Sequence, residues 1–345
     1  MSYVRNAWYV AGWSTDLVGA APLGVHILGE RIVLYRGVDG RAIALEDRCV
    51  HRLAPLSLGR CEGDNLRCMY HGLLFDPNGT TIEIPGQDMV PNSARVRSYP
   101  VVERHSWIWV WMGDKQVADT DLIPPAVGFD DPDYILGHGT LDYEASAGLI
   151  CDNLLDLSHL SYVHATSFGA GNQWADNQPT VMPLERGVRI SRWMTAEPGP
   201  RTQTTEPLDR WQSYDFLIPG VLLMFSANYP LGTADRLAKG SPDPDDAISG
   251  ITFTSQAVTP TKGATARYFF SWGPHVRSGD AALRDQLLEI AQAAFAEDRA
   301  IIEGQQRVID DEPGRQVMPT KADKGVVLYN RLVARLSAEE AAVQV

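Results

Sequence analysis

Cys49-Val50-His51-Arg52-Leu53-Ala54-Pro55-Leu56-Ser57 is followed, with sixteen residues intervening after His51, by Cys68-Met69-Tyr70-His71-Gly72. Two thiols and two imidazoles arrive as mixed pairs, Cys-x-His and then Cys-x-x-His. A zinc finger draws on the same donors but groups Cys with Cys and His with His. Mixed pairs suit a [2Fe–2S] cluster in which one iron takes both sulfurs and the other both imidazoles. Neutral imidazole in place of thiolate lifts the reduction potential into roughly −150 to +300 mV, against about −400 mV for an all-cysteine plant-type cluster. Such a cluster accepts electrons readily and passes them on. Cys49, His51, Cys68 and His71 are therefore the candidate cluster ligands, with a structural zinc as the competing reading.

Around these loops, residues 1 to about 115 read as β structure. Gly24–Leu28 and Arg31–Arg36 are short apolar runs separated by Gly29-Glu30, and Gly37-Val38-Asp39-Gly40 turns into Ala42–Leu45. Pro77-Asn78-Gly79-Thr80 is a further turn, since Asn-Gly favours positive φ. Ser106-Trp107-Ile108-Trp109-Val110-Trp111 alternates strictly, which places three tryptophans on one face of a core strand. Residues 114–135, with Ile123-Pro124-Pro125, read as a linker, so the expected domains are 1–115 and 116–345. Farther on, Val188–Ser191, Gly220–Phe225, Gly250–Thr254 and Ala266–Trp272 read as strands and Asp280 to about Val308 as a long helix. Residues 234–249, rich in Asp, Pro, Gly and Ser, read as a surface loop.

Composition narrows the function classes. A chain of 345 residues with 44% apolar residues can build two cores, and a formal charge of −13 argues against a nucleic-acid partner. No run of eighteen apolar residues predicts a membrane helix, and the opening Met1–Asn6 lacks the apolar core of a signal peptide. With two of its four cysteines assigned to iron, Cys61 and Cys151 read as free thiols in a reducing, cytoplasmic setting.

A second constellation lies in Asp152–His164, which contains Asn153-x-x-Asp156-x-x-His159-x₄-His164. On a helix, Asn153, Asp156 and His159 share one broad face. His164 falls about 140° round an ideal helix from His159, so both rings reach one metal only where the helix ends or distorts. Two imidazoles, one carboxylate and open positions make the facial triad of mononuclear non-haem iron. In the last long helix Leu287, Ala291, Ala294, Asp298, Ile301 and Gln305 recur at three- and four-residue steps, which puts Asp298 on an apolar stripe where a carboxylate is costly unless paired or metal-bound. Asp298 is the expected third ligand and Glu297, about 100° off the stripe, its competitor. Asp156 stands three residues before His159, within reach of that ring's distal N–H, the position of a carboxylate that orients a metal-bound histidine.

A Rieske signature followed by Asn-x-x-Asp-x-x-His-x₄-His and a late Glu-Asp resembles the Rieske non-haem iron oxygenases over essentially the whole chain. The opening Asn6-Ala7-Trp8-Tyr9-Val10-Ala11, the Cys49–Ser57 loop and the Trp-Val-Trp strand are similar to vanillate O-demethylase oxygenase subunits and relatives acting on other methoxylated, sulfonated or chlorinated benzoates. In that pattern proline often stands where this chain has Val50, and glycine where it has Leu53.

The resemblance implies an α+β architecture: an all-β Rieske domain, then a helix-grip catalytic domain in which an antiparallel sheet grips a long helix. It also implies a homotrimer in which the cluster of one subunit meets the mononuclear Fe(II) of its neighbour. Asp156 then bridges His71 and His159 between subunits, with Asn153 near the iron. The substrates are a small aromatic and O₂, and NAD(P)H acts only through a partner reductase carrying flavin and a ferredoxin-type [2Fe–2S] cluster. The chain has no G-x-G-x-x-G fingerprint of its own. The implied reaction is hydroxylation of a methoxy carbon, whose hemiacetal product loses formaldehyde. Alternatives are attack on an aryl sulfonate, aryl ether or chlorinated benzoate, cis-dihydroxylation, N-demethylation, and a pure electron carrier. A carrier needs only the first 115 or so residues.

Overall fold

The computed structural model describes residues 3–19, 21–168, 171–197 and 206–343. Met1 and Ser2 of the opening segment lie outside them. By its contacts the chain divides into two units, Tyr3–Ile123 with Thr259–Ala266, and Pro124–Val258 with Arg267–Val345.

The first unit is all-β, as expected. Its strands are β1 (Trp8–Trp13), β2 (Leu23–Ile27), β3 (Glu30–Arg36), β4 (Ala42–Glu46), β5 (Arg60–Glu62), β6 (Asn65–Arg67), β7 (Leu74–Phe75), β8 (Thr81–Glu83), β9 (Ser98–Tyr99), β10 (Val101–Arg104) and β11 (Trp107–Trp111). They form sheets ordered β1-β11-β10, β2-β3-β4-β9 and β5-β6-β7-β8. The aromatic strand β11 is central in its sheet and buried on both faces. A bulge between Val10 and Gly12 shifts the register, so that Trp8, Val10 and Trp13 lie opposite Trp111, Trp109 and Trp107. The extra residue keeps both outer tryptophans of β1 on the tryptophan face of β11. Their rings pack at 5.5 Å (Trp8–Trp111) and 5.3 Å (Trp13–Trp107). Burying each indole contributes roughly 4–6 kcal/mol before conformational entropy is counted. The Asn78-Gly79 turn forms as read: Gly79 has φ 81°, and Asp76 accepts from the Asn78 and Thr80 amides.

The second unit is α+β. It holds β12 (Gly137–Tyr143), β13 (Thr180–Leu184), β14 (Gly187–Glu197), β15 (Leu208–Leu217), β16 (Val221–Pro230), β17 (Ser249–Pro260) and β18 (Ala266–Pro274), in the order β12-β18-β17-β16-β15-β14-β13. Its helices are α1 (Ala147–Leu155), α2 (Leu160–Val163), α3 (Gln173–Asp176), α4 (Thr233–Arg236), α5 (Ala281–Asp311) and α6 (Lys324–Val343). One sheet face meets the helices: Tyr268 and Phe270 pack on Phe295 of α5, Phe216 on Tyr329 of α6, and the Tyr214 hydroxyl donates to the Leu155 carbonyl of α1. The other face carries a separate cluster of Trp193, Trp211, Ala227, Tyr229 and Ile251, closed by Ala234 of α4.

Several expectations need correction here. Residues 234–249 are not simply a loop, because Ala234 is fully buried in that cluster and Pro244–Asp246 forms a 3₁₀ turn. Helix α6 and strand β15 were not read from the sequence at all. The buried face of α5 runs through Ala291, Ala294, Phe295, Asp298, Ile302 and Gln306, while Ile301 and Gln305 are exposed. On an ideal helix Ile302 lies about 40° from Asp298 and Ile301 about 60° on the other side, so the stripe continues through the four-residue step.

Candidate functional site

The two cysteine loops are built alike. Cys49 N donates to Ala54 O and Leu53 N returns to Cys49 O, just as Cys68 N donates to Leu73 O and Gly72 N returns to Cys68 O. Each loop thereby folds a cysteine inward and a histidine outward. Cys49 and Cys68 are buried in a core with Val33, Tyr35, Leu45 and Phe75, whereas His51 and His71 are exposed, their rings 4.5 Å apart. Burial pushes the Cys49 thiol up to about 11, and the neighbouring Cys68 sulfur adds to the rise. Two sulfurs on the inside and two imidazoles on the outside match the donor set of a mixed-ligand [2Fe–2S] cluster. Two anchors, absent from the sequence reading, brace the loops. Asp47, itself buried, accepts from the amide and hydroxyl of Ser57 at 2.6 and 2.7 Å. Arg67 donates to the Gly72 carbonyl at 2.7 Å while paired with Glu62 and Glu83.

The second constellation does not lie on one helix. Helix α1 stops at Asp156 (φ −120°, ψ 91°), a 3₁₀ turn spans Leu157–His159, and α2 ends at His164 (φ −108°, ψ 25°). These breaks bring the His159 and His164 rings to 5.3 Å between centroids. His159, His164 and Asp298 each present one ligand atom, all within 4.8 Å of one another. His164 Nε2 stands 3.1 Å and His159 Nε2 3.5 Å from Asp298 Oδ1. Asn153 Nδ2 donates to the same Oδ1 at 3.1 Å and lies 3.4 Å from His159 Nε2.

Tautomers follow from the partners on the far side of each ring. His159 Nδ1 lies 2.5 Å from the Asp156 carbonyl oxygen, which only accepts, so Nδ1 carries the proton. His164 Nδ1 lies 2.8 Å from Glu297 Oε2, which also accepts from Ser167 Oγ at 2.7 Å. Both Nε2 lone pairs therefore face the Asp298 carboxylate, an arrangement that a cation completes. Burial lowers the pKa of His159 against the pull of Asp298; for His164 burial also acts downward, but Asp298 and Glu297 together outweigh it and the net shift is up.

The carboxylate of Asp156 is not the group on His159. It caps the 3₁₀ turn by accepting from Ser158 N at 2.9 Å, and the backbone carbonyl of Asp156 takes the imidazole proton instead. Glu297, treated as a competing ligand, supports His164 from behind. The only sequence signal for that role was its position next to Asp298.

Known protein families match both parts of the chain. Residues 7–100 match the Rieske [2Fe-2S] domain and residues 143–339 the vanillate O-demethylase oxygenase C-terminal domain. The iron-sulfur subunit TsaM1 of the toluene-4-sulfonate monooxygenase system of Comamonas testosteroni is 35% identical, over 98% of both chains. A vanillate O-demethylase oxygenase subunit from a Pseudomonas strain is 34% identical, over 98% of this chain and 96% of the relative. The chain belongs to the Rieske non-haem iron oxygenases.

A solved structure of dicamba monooxygenase with non-haem iron and dicamba superposes with a TM-score of 0.76 at 30% identity, covering 99% of each chain. The cofactors of this Rieske oxygenase are accordingly a [2Fe–2S] cluster and a mononuclear non-haem iron. Its class is that of aromatic monooxygenases and demethylases, whose oxygenase components take an aromatic substrate and O₂ and work with a separate reductase. Among the described residues no helix is long and apolar enough to cross a membrane.

Proposed function

We propose that residues 1–115 carry the cluster, on Cys49 and Cys68 at one iron and His51 and His71 at the other, and that residues 116–345 carry out oxygenation at an iron(II) held by His159, His164 and Asp298. The observation behind this reading is the convergence of those three ligand atoms within 4.8 Å in the α+β unit, His164 and Asp298 buried and His159 half-buried. When bound, the cluster supplies electrons, and the iron, with coordination positions left open, supplies O₂ activation. The protein's own part is to hold each donor in one state. Glu297 and the Asp156 carbonyl keep the Nδ1 protons, so that both Nε2 atoms face inward. Asn153 orients Asp298 through its amide. Asp156 bridges His71 of one subunit to His159 of the next in a homotrimer, with its carboxylate toward His71 and its backbone carbonyl on His159 Nδ1.

The substrate in this reading is a methoxybenzoate such as vanillate, hydroxylated at its methoxy carbon with loss of formaldehyde. Electrons reach the chain from NAD(P)H through a cytoplasmic reductase with flavin and a ferredoxin-type [2Fe–2S] cluster. A second reading, methyl hydroxylation of an aryl sulfonate, draws on the toluene-4-sulfonate relatives at 35% and 37% identity. The experiment is substrate-dependent O₂ uptake by the iron-loaded protein with a reductase of this type, offering vanillate and 4-methylbenzenesulfonate side by side. Formaldehyde and 3,4-dihydroxybenzoate from vanillate support the first reading, and 4-(hydroxymethyl)benzenesulfonate from the sulfonate supports the second. An iron content of two per chain, rather than the three that a cluster plus one iron requires, sinks both.

A further inference from the structure

A buried arginine with no carboxylate in direct contact lies on the helix-facing side of the large sheet. Arg192 of β14 is 6% exposed, and among the described residues no carboxylate hydrogen-bonds its guanidinium. Its Nη1 donates to the Trp174 carbonyl at 3.0 Å and its guanidinium lies over the Trp174 ring at 5.1 Å, but its Nε has no partner. Directly across the ladder on β15 stands Gln212, also 6% exposed, whose Oε1 has no partner either. Burial lowers the pKa of Arg192, opposed by Tyr214 and Asp156. A desolvated cation and an unsatisfied amide side by side are costly unless a ligand completes them.

Strand register carries this pair to Thr252, on the sheet face that Trp272 shares near the iron site. Gln212 is opposite Ser226, and Ser226 opposite Thr252, so Arg192, Gln212, Ser226 and Thr252 form one row across four strands, about 14 Å long. On β17 and β18, Gln256 and Tyr268 share a hydrogen bond. Side chains alternate along a strand, so Thr252, in phase with Gln256, and Trp272, in phase with Tyr268, share this face. Trp272 packs on Phe168 and Phe168 on His164. Met224, Ser226, Thr252 and Trp272 are half-buried on this face, as is Arg210. Arg210 of β15 is opposite Met194, in phase with Arg192, and adds a second guanidinium whose Nε donates to Asn228 Oδ1 at 3.1 Å.

We infer that Arg192, with the Gln212 amide beside it, receives the anionic substituent of an aromatic substrate, a carboxylate or a sulfonate, and so determines which arenes reach the iron. The inference rests on the aromatic-oxygenase reading and deepens it. A planar guanidinium presents Nε and an Nη as a fork that matches two oxygens of either anion, and the Gln212 amide, turned by half a rotation, offers Nε2 as a further donor.

Calorimetric binding to the iron-loaded protein tests this without turnover. The probes are 4-methoxybenzoate, 4-methylbenzenesulfonate and their neutral amides. The wild type should bind at least one anion about tenfold or more tighter than its amide. Arg192→Gln should lower that anion's affinity about 30- to 100-fold and leave the amide within about threefold. Arg192→Lys, which keeps the charge and loses the fork, should fall between. Gln212→Leu should shift the same ratio by a smaller factor and, with the lysine variant, carries the comparison if Arg192→Gln does not fold. Neither anion preferred by the wild type, an unchanged anion affinity in Arg192→Gln, or an equal loss for acid and amide overturns the inference. That last result identifies Arg192 as a brace for α3. Oxygen uptake separates the two readings. Uptake driven by the amides with no anion preference leaves the oxygenase reading standing and removes the arginine site. Arg192-dependent anion binding with no uptake on any probe upholds the site and removes the methyl-oxidation reading.

Discussion

Leu53 and Gly72 hold the same place in their respective loops, four residues after a cysteine, and both have positive φ, 59° and 78°. A leucine there is strained by about 1–2 kcal/mol, part of which is offset by the freedom a glycine gains in the unfolded chain. Because Leu53 is 64% exposed, little packing is lost on its removal. Leu53→Gly should therefore stabilise the first unit by about 0.5–1 kcal/mol, read as a rise in the urea midpoint at constant slope. Gly72→Ala should do the reverse, because its Cβ would stand 2.8 Å from Pro85 Cγ in addition to the φ strain. If the two substitutions shift the midpoint in the same direction, the loops are not equivalent. At the iron site, Asp298→Ala should remove the mononuclear iron and leave the cluster spectrum intact, since the two donor sets come from separate segments. Glu297→Gln should keep the iron but weaken its retention about 10- to 100-fold in a chelator titration. Retention of three irons and full activity in Asp298→Ala would falsify its role as ligand.

Among the elements, α1 and α6 are joined by a polar contact that carries a pH dependence. Asp152 of α1 accepts from Asn330 of α6 at 3.2 Å, and burial raises the carboxyl from 3.8 to about 6, partly opposed by that hydrogen bond. A carboxyl whose folded-state pKa exceeds its unfolded value favours folding while protonated. Its contribution is complete below about pH 4 and lost as pH rises through about 6, an effect of up to roughly 3 kcal/mol. Asp152→Asn, which can still meet Asn330, should therefore melt above the wild type at pH 8, with the difference shrinking toward pH 5. A gap in melting temperature that stays constant between those two pH values would show that Asp152 titrates normally.

Over the whole molecule, the proposed electron path requires two chains. Asp156→Asn should leave both metal centres loaded, because asparagine caps the Leu157–His159 turn as well as aspartate and the carbonyl that holds His159 is unchanged. It removes the charge that would couple His71 of one subunit to His159 of the next, so electron delivery should stop. Mixed with Cys68→Ser chains, it should regain partial turnover, since some assemblies then pair a good cluster with a neighbour's intact Asp156 and iron. Verified subunit exchange without recovered activity would rule out transfer between chains.

The spacing Cys49-x-His51 and Cys68-x-x-His71, the histidine pair after Asp156 and the apolar step pattern around Asp298 were legible because donor chemistry and helical period are properties of near neighbours in the chain. So were the alternating tryptophans of β11 and the Asn78-Gly79 turn. Tertiary structure decided what depends on packing between distant segments. The 3₁₀ turn hands the His159 proton to the Asp156 carbonyl instead of its carboxylate, a backbone geometry that side-chain spacing does not encode. Glu297 reaches His164 only because α5 presents two adjacent residues to opposite sides of one imidazole. The alignment of Arg192 with Gln212, Ser226 and Thr252 is set by strand register, where a shift of one residue would turn every one of those side chains to the other face.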